Sequence, residues 1–228
     1  MIEEEKSLPT CVGFIMDGNR RFAKEKGRPE LEGHQAGKKK FLEIADWVAE
    51  AEIPHAVFYA FSTENWKREK KEVEHLMFLF RELLEFFKKE TDKRKINIKV
   101  IGRREDLSED IQESISELEE DDKKYNTTIW VAISYGGRAE ILSAINEAIS
   151  KGESIDENKF SELLWTSGMP DPDIIVRTSG EKRLSNFLPW QSVYSELFFL
   201  DTYWPAFTKE EFARILDEYA TRERRVGC

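Results

Sequence analysis

Asp17 directly follows an apolar run, "CVGFIM" at 11–16, and precedes Gly18, Asn19, Arg20 and Arg21, after which "RFAKEKG" continues as a helical pattern. The first N–H groups of a helix lack partners and carry the positive end of its dipole, so a phosphate is favoured there. Arg20 and Arg21 would add charge-assisted bonds to it. Asp17 would repel a bare phosphate, and a hard divalent cation such as Mg2+ between them removes that conflict. The same stretch also reads as an ordinary helix start capped by Asp17 or Asn19, although a cap needs no pair of arginines.

A second group, "FSTENWKR" at 61–68, follows another apolar run. Ser62, Thr63, Glu64 and Asn65 offer hydrogen bonds, Trp66 a flat apolar wall and Arg68 a cation; an ordinary polar loop has the same composition. A third run delivers "RTSGEKRLSNF", in which Arg177, Arg183 and Ser185 bracket a glycine turn, with Glu196 close behind. Two arginines and a serine suit a second polyphosphate, and Glu196 suits a metal. The terminal "TRERRVG" is basic and reads equally as a helix end that complements its dipole.

The chain has 228 residues, 40% of them hydrophobic, which is enough for one large domain over 1–228. A net charge of -10 argues against a nucleic-acid partner, because coating phosphates requires a basic excess. Two cysteines, Cys11 and Cys228, suggest neither a disulfide framework nor a zinc site and fit a reducing cytosol. The acidic start "MIEEEKSLPT" has no secretory pattern, and no apolar run approaches the ~20 residues that span a bilayer. The expectation is a cytoplasmic protein, at most peripheral at a membrane. No Walker loop, dinucleotide fingerprint or nucleophile elbow is present, and the aspartate-rich motif of helical trans-prenyl synthases is absent. His55 and His75 read as structural; His34, in "EGHQAG", stays open.

These groups need a frame. Short β-rich runs at 11–16, 55–61, 96–102, 128–134, 173–178 and 196–200 alternate with helical stretches, which predicts a three-layer α/β domain on a parallel sheet. Ligands then belong at the carboxyl ends of the strands. The stretch 106–125 predicts an exposed amphipathic helix with Leu107, Ile111, Ile115 and Leu118 inward. The stretch 70–95 predicts a helix whose apolar surface is wider than the ~100° one contact needs. It either lies between the sheet and a subunit partner or lines a hydrophobic cavity.

Taken in order, "MDGNRRFA", "GHQAG", "YAFSTENW", "YGGRAEI", "VRTSGEKRLSNF", "LPWQSVYSELFF" and "RERRVG" resemble the cis-prenyltransferase family, the undecaprenyl diphosphate synthases, from about Val12 to Gly227. The resemblance implies six mainly parallel strands surrounded by helices, a hydrophobic tunnel, a homodimer and Mg2+ dependence. It implies repeated cis condensation of isopentenyl diphosphate onto an allylic prenyl diphosphate, farnesyl or geranylgeranyl, toward an undecaprenyl-class product for lipid-carrier synthesis, with membrane contact at product release. Asp17 would bring Mg2+ to a diphosphate, and Gly18, Asn19, Arg20, Arg21, Phe22 and His34 would bind the allylic substrate. Ser62, Thr63, Glu64, Asn65, Trp66 and Arg68 would shape the loop at the reacting carbons, with Asn65 an orienting group rather than a base. Arg177, Arg183, Leu184 and Ser185 would hold isopentenyl diphosphate. Glu196 would be the second metal ligand, from its own or the partner subunit, and Arg225 and Gly227 would reach across the dimer. Leu76, Leu79, Phe80 and Leu83, on one helical face, would form the tunnel wall.

Three positions depart from the bacterial pattern. Glu30 stands where an arginine is common, with Arg28 a possible substitute contact; Lys182 stands where a histidine is common and is a poor metal ligand. Arg20 replaces a glycine and makes the "GNRR" form closer to eukaryotic and archaeal members, which points to geranylgeranyl diphosphate as primer. The alternatives are a short-chain synthase with a shallower tunnel and a non-catalytic accessory subunit, which would typically lack the first phosphate motif that this chain has.

Overall fold

The computed structural model describes residues 8–120, 125–152 and 154–222. All six apolar runs become strands: β1 Cys11–Ile15, β2 His55–Ser62, β3 Ile96–Ile101, β4 Thr127–Tyr135, β5 Ile174–Arg177 and β6 Glu196–Phe199. They form one sheet in the order β3-β4-β2-β1-β5-β6, and every pairing is parallel. Every residue of β1 and β5 is buried, as their lack of alternation requires.

One face is covered by four helices, α2 Glu30–Glu50, α3 Lys70–Arg94, α4 Glu109–Glu120 and α7 Lys209–Thr221, with α1 Asn19–Glu25 at the edge of the site. Phe14, Phe41, Phe58 and Phe87 centre this core, with Phe14 stacked on Phe58 at 4.9 Å and Phe41 edge-on to Phe58 at 4.3 Å. The opposite face differs from the expected helical layer. Cys11, Val57, Trp130 and Ile175 pack there against Phe187 and Leu188 of an irregular segment. Helices α5 Gly137–Lys151 and α6 Glu157–Leu163 build a smaller cluster around Ala144, Phe160 and Leu164.

Helix α3 matches its predicted span to one residue and buries Met77, Leu79, Phe80, Leu83, Leu84 and Phe87. Helix α4 begins three residues later than expected, because Arg104–Asp106 forms a 3-10 turn first. Leu107, Ile111 and Ile115 are buried as predicted and Leu118 packs on the same core.

The strand order changes direction at β1, since the chain goes first to β2 on one side and later to β5 on the other. The carboxyl ends of these three strands therefore bound the crevice where an open α/β sheet takes ligands. Helix α2 meets the loop after β1 through two glycines. A Cβ on Gly33 would lie 2.1 Å from the Asn19 carbonyl oxygen, and one on Gly37 would lie 2.3 Å from Asn19 Oδ1. The "GHQAG" spacing thus lets Asn19 seat on the helix. Gly37→Ala should push Asn19 out at a cost of about 1–3 kcal/mol. That is read as a thermal midpoint lowered by about 2–4 °C per kcal/mol.

Candidate active site

Asp17 sits just beyond β1 with its backbone fixed, the carbonyl accepting Thr178 Oγ1–H at 2.7 Å and Trp204 N–H at 3.0 Å. Gly18 follows at φ 102°, a left-handed turn that swings the chain into α1. The Asp17 carboxylate lies between two arginines, with Oδ2 2.9 Å from Arg177 and Oδ1 3.3 Å from Arg21. Arg177 ends β5 and is 4% exposed. Besides Asp17 it donates to Ser185 Oγ at 2.8 Å and to the Arg183 carbonyl. Burying a guanidinium this deeply is tolerable only with such partners.

The end of β2 supplies the third edge. Its pairing with β4 slips between Tyr59 and Ser62. Tyr59, Ala60, Phe61 and Ser62 consequently all border one cavity, which strict alternation in a regular strand would forbid. A 3-10 turn, Thr63–Lys67, follows and is held by a capping box in which Ser62 N–H donates to Asn65 Oδ1 at 3.1 Å. That bond engages the Asn65 amide oxygen, in keeping with an orienting role.

These edges enclose a cavity of about 480 Å³. Its mouth carries Arg20, Arg21, Lys38, Arg68, Arg177 and Arg183, and Asp17 is the lone carboxylate lining it among the described residues. In a chain of net charge -10 the lining is thus rich in cations, with carboxylates such as Glu72, Glu82 and Glu181 paired to them from behind it. Its inner wall is apolar, with Phe41, Leu76, Leu79, Phe80, Leu83 and Ile133. The four residues expected to form a tunnel wall all line it. Gly18, Asn19, His34, Ser62, Asn65 and Ser185 border it as well.

Other expected site residues stand back from the cavity. Phe22 packs under Lys26, whose ammonium is 4.1 Å from its ring centre. Glu64 accepts from Asn186 and Thr63, and Leu184 joins the opposite core. Trp66 packs edge-on against Phe61 at 5.0 Å. Arg28 turns to Glu32, and Glu30 lies 3.9 Å from Arg20. Lys182 is exposed.

Glu196 requires a correction within one chain. It opens β6 level with Ile174, at the amino end of the sheet, and pairs with Arg222. Five residues of rise and two strand spacings place it roughly 19 Å from Asp17 between Cα atoms. No single chain folded this way puts both carboxylates on one ion. Arg225 and Gly227 lie outside the described residues.

Sequence reading missed Glu72, on the first turn of α3. It lies 2.9 Å from Arg68, 3.2 Å from His34 Nε2 and 3.6 Å from Arg20, so one carboxylate holds together three groups of the cavity mouth. Its only sequence signal was the i, i+4 spacing from Arg68. Burial is the largest influence on His34 and lowers its pKa; Glu72 opposes this and Arg68 adds to it. The imidazole is thus kept neutral, with Nε2–H donating to Glu72.

The family model of undecaprenyl diphosphate synthases matches residues 15–227. The chain belongs to that family. The tritrans,polycis-undecaprenyl-diphosphate synthase (geranylgeranyl-diphosphate specific) of Thermoplasma volcanium is 48% identical, over 100% of this chain and 93% of its own. The isoprenyl transferase of Thermotoga maritima is 43% identical over 96% and 97%. Lavandulyl diphosphate synthase from Lavandula x intermedia, solved with dimethylallyl diphosphate, superposes at a TM-score of 0.91 with 31% identity, covering 97% of this chain and 99% of its own. The protein is accordingly a prenyltransferase, and its cationic mouth and apolar wall suit the two halves of a prenyl diphosphate. Asp17→Ala should lower prenyl transfer by ~10²-fold or more, the scale of losing a charge-stabilising group, while unfolding remains cooperative. Steady-state turnover beside a circular-dichroism melt checks this.

Proposed function

We propose that the protein extends geranylgeranyl diphosphate by successive cis additions of isopentenyl diphosphate to an undecaprenyl-class polyprenyl diphosphate, a lipid-carrier precursor. The observation that carries this reading is the continuity of the arginine-lined mouth with the apolar wall of α3. A growing prenyl chain is insoluble in water and needs such a wall, while its diphosphate needs fixed cations. Arg20, in the "GNRR" pattern, and the printed specificity of the Thermoplasma relative support geranylgeranyl over farnesyl diphosphate as primer.

In this reading Gly18, Asn19, Arg20, Arg21 and His34 bind the allylic diphosphate at the start of α1, and Arg177, Arg183 and Ser185 bind isopentenyl diphosphate. The allylic C–O bond breaks and the diphosphate leaves with its electron pair. The isopentenyl double bond then attacks the allylic carbon, which leaves a tertiary cation on the isopentenyl unit. The isopentenyl carbon next to that cation loses its proton to the released diphosphate, forming the new double bond. Arginines fixed before the reaction stabilise the charge as it develops. Ser62 and Asn65 position the reacting carbons. Asp17, the one carboxylate lining the cavity among the described residues, fits Mg2+, which takes few protein ligands and completes its shell with phosphate oxygens and water. Asp17 would hold it, and when bound it would neutralise charge on the diphosphate.

Two features support a homodimer. Helix α5 exposes Leu142 and Ile149, and the segment around β6 exposes Val193, Tyr194 and Leu197, apolar side chains that a second copy would cover. Glu196 precedes Leu197 on β6 and is remote from Asp17 of its own chain, so a partner's site is the one it would serve. Arg225 and Gly227 would reach across that dimer. No helix among the described residues is long and apolar enough to cross a membrane, and product release would use peripheral contact.

Radiolabelled isopentenyl diphosphate, geranylgeranyl diphosphate and Mg2+ incubated with the protein should give long products by thin-layer chromatography; products of only one or two additions would favour the short-chain alternative. Leu79→Trp should shorten them while sparing the first condensation, because the bulk blocks growth and the diphosphate groups stay untouched. An unshortened product with a midpoint lowered by overpacking, about 1–3 kcal/mol, would make this face packed core instead. Mixing inactive Asp17→Ala and Arg225→Ala chains should restore activity, since one site of each mixed dimer is intact. Failure to complement in a confirmed heterodimer would place the tail in its own subunit's site.

A further inference from the structure

Trp66 stands back from the cavity, yet its indole is tied down. Its Nε1–H donates to Ser134 Oγ at 2.8 Å, and Ser134 Oγ lies 2.5 Å from Asp106 Oδ2. The indole can only donate and a carboxylate accepts, so the single hydroxyl proton of Ser134 points to Asp106. The polarity of the chain Trp66 to Ser134 to Asp106 is therefore fixed. Its last bond runs from a hydroxyl to a carboxylate and is charge-assisted.

Ser134 is wholly buried near the end of β4 and adopts φ 45°, a left-handed conformation unusual for serine. Its carbonyl accepts the Arg103 N–H at 3.1 Å, which brings the turn Arg104–Asp106 against the strand end. Ser134 and Asp106 do not line the cavity. Trp66 belongs to the same five-residue 3-10 turn as Asn65, whose side chain closes onto Ser62. Its ring also braces Phe61, a cavity residue.

We propose that Ser134 and Asp106 are positioning residues for prenyl transfer: by anchoring the Trp66 indole they hold the Ser62–Asn65 turn, and the Phe61 wall beside it, in the geometry the reacting carbons need. This rests on the reading that Ser62 and Asn65 face those carbons. Small displacements of positioning groups carry large rate penalties. The diphosphate-binding arginines take no part in the chain, so the effect should fall on kcat and not on KM for either diphosphate.

The test compares Trp66→Phe, Ser134→Ala, their double variant, Asp106→Ala and Asp106→Asn by steady-state prenyl transfer, thermal midpoint and amide hydrogen exchange across residues 62–67. Trp66→Phe and Ser134→Ala should each lower kcat roughly tenfold, with the double variant no worse than either, since both remove one shared bond. Asp106→Ala should show a similar loss and Asp106→Asn should retain most activity, because the amide oxygen still accepts the hydroxyl. Exchange at 62–67 should quicken in Ser134→Ala. A wild-type kcat in Ser134→Ala, losses that multiply in the double variant, or losses that merely track the thermal midpoint would overturn the assignment. A wild-type protein without prenyl transfer would overturn the proposed function alone. Exchange would still judge the anchor, which unchanged protection in Ser134→Ala would refute.

Discussion

A buried guanidinium must be paired, and the pairing of Arg177 with Asp17 organises the molecule's open end. Arg177 finishes β5 and Asp17 follows β1, adjacent parallel strands whose register brings Ile15 opposite Arg177. The ion pair at 2.9 Å therefore depends on the sheet, and the loops on either side depend on the ion pair. Ser185 and the Arg183 carbonyl accept from the other terminal nitrogen of Arg177, which ties down the "SGEKRLS" turn. Arg21 completes the Asp17 shell from α1.

The second constraint is continuity between unlike surfaces. A prenyl diphosphate is highly charged at one end and greasy along the rest, so its site must change character over a few ångströms. The slipped β2–β4 register lets four consecutive β2 residues border the cavity. Helix α3 supplies the apolar part with residues at i, i+3, i+4 and i+7, and its other apolar side chains, such as Leu84 and Phe87, enter the core. Its wide apolar surface thus serves two environments, one packed and one hollow.

Glu72 shows how the cationic mouth is held without substrate. It gathers Arg20, Arg68 and His34 around one carboxylate, reducing the repulsion between the two arginines and keeping all three oriented. A neutral His34 lowers the positive charge that Glu72 has to hold together.

The sequence by itself determined the strands, because runs apolar on both faces can be stable only inside a covered parallel sheet, and it singled out the three loops that meet at one cavity, because arginine and an acid recur after three of those runs. It also determined the α3 span from its 3.6-residue period. It misplaced the start of α4, where Asp106 is drawn into a turn by Ser134, a contact between residues far apart in the chain. Glu196 looked close to Arg177 in sequence, but strands in parallel require the chain to return to the amino end of the sheet before β6 begins, which carries Glu196 away from Asp17. The partners of Glu72, the anchor of Trp66 and the seating of Asn19 on Gly33 and Gly37 were decided only by tertiary structure, since each depends on where separate elements meet and no local pattern encodes that meeting.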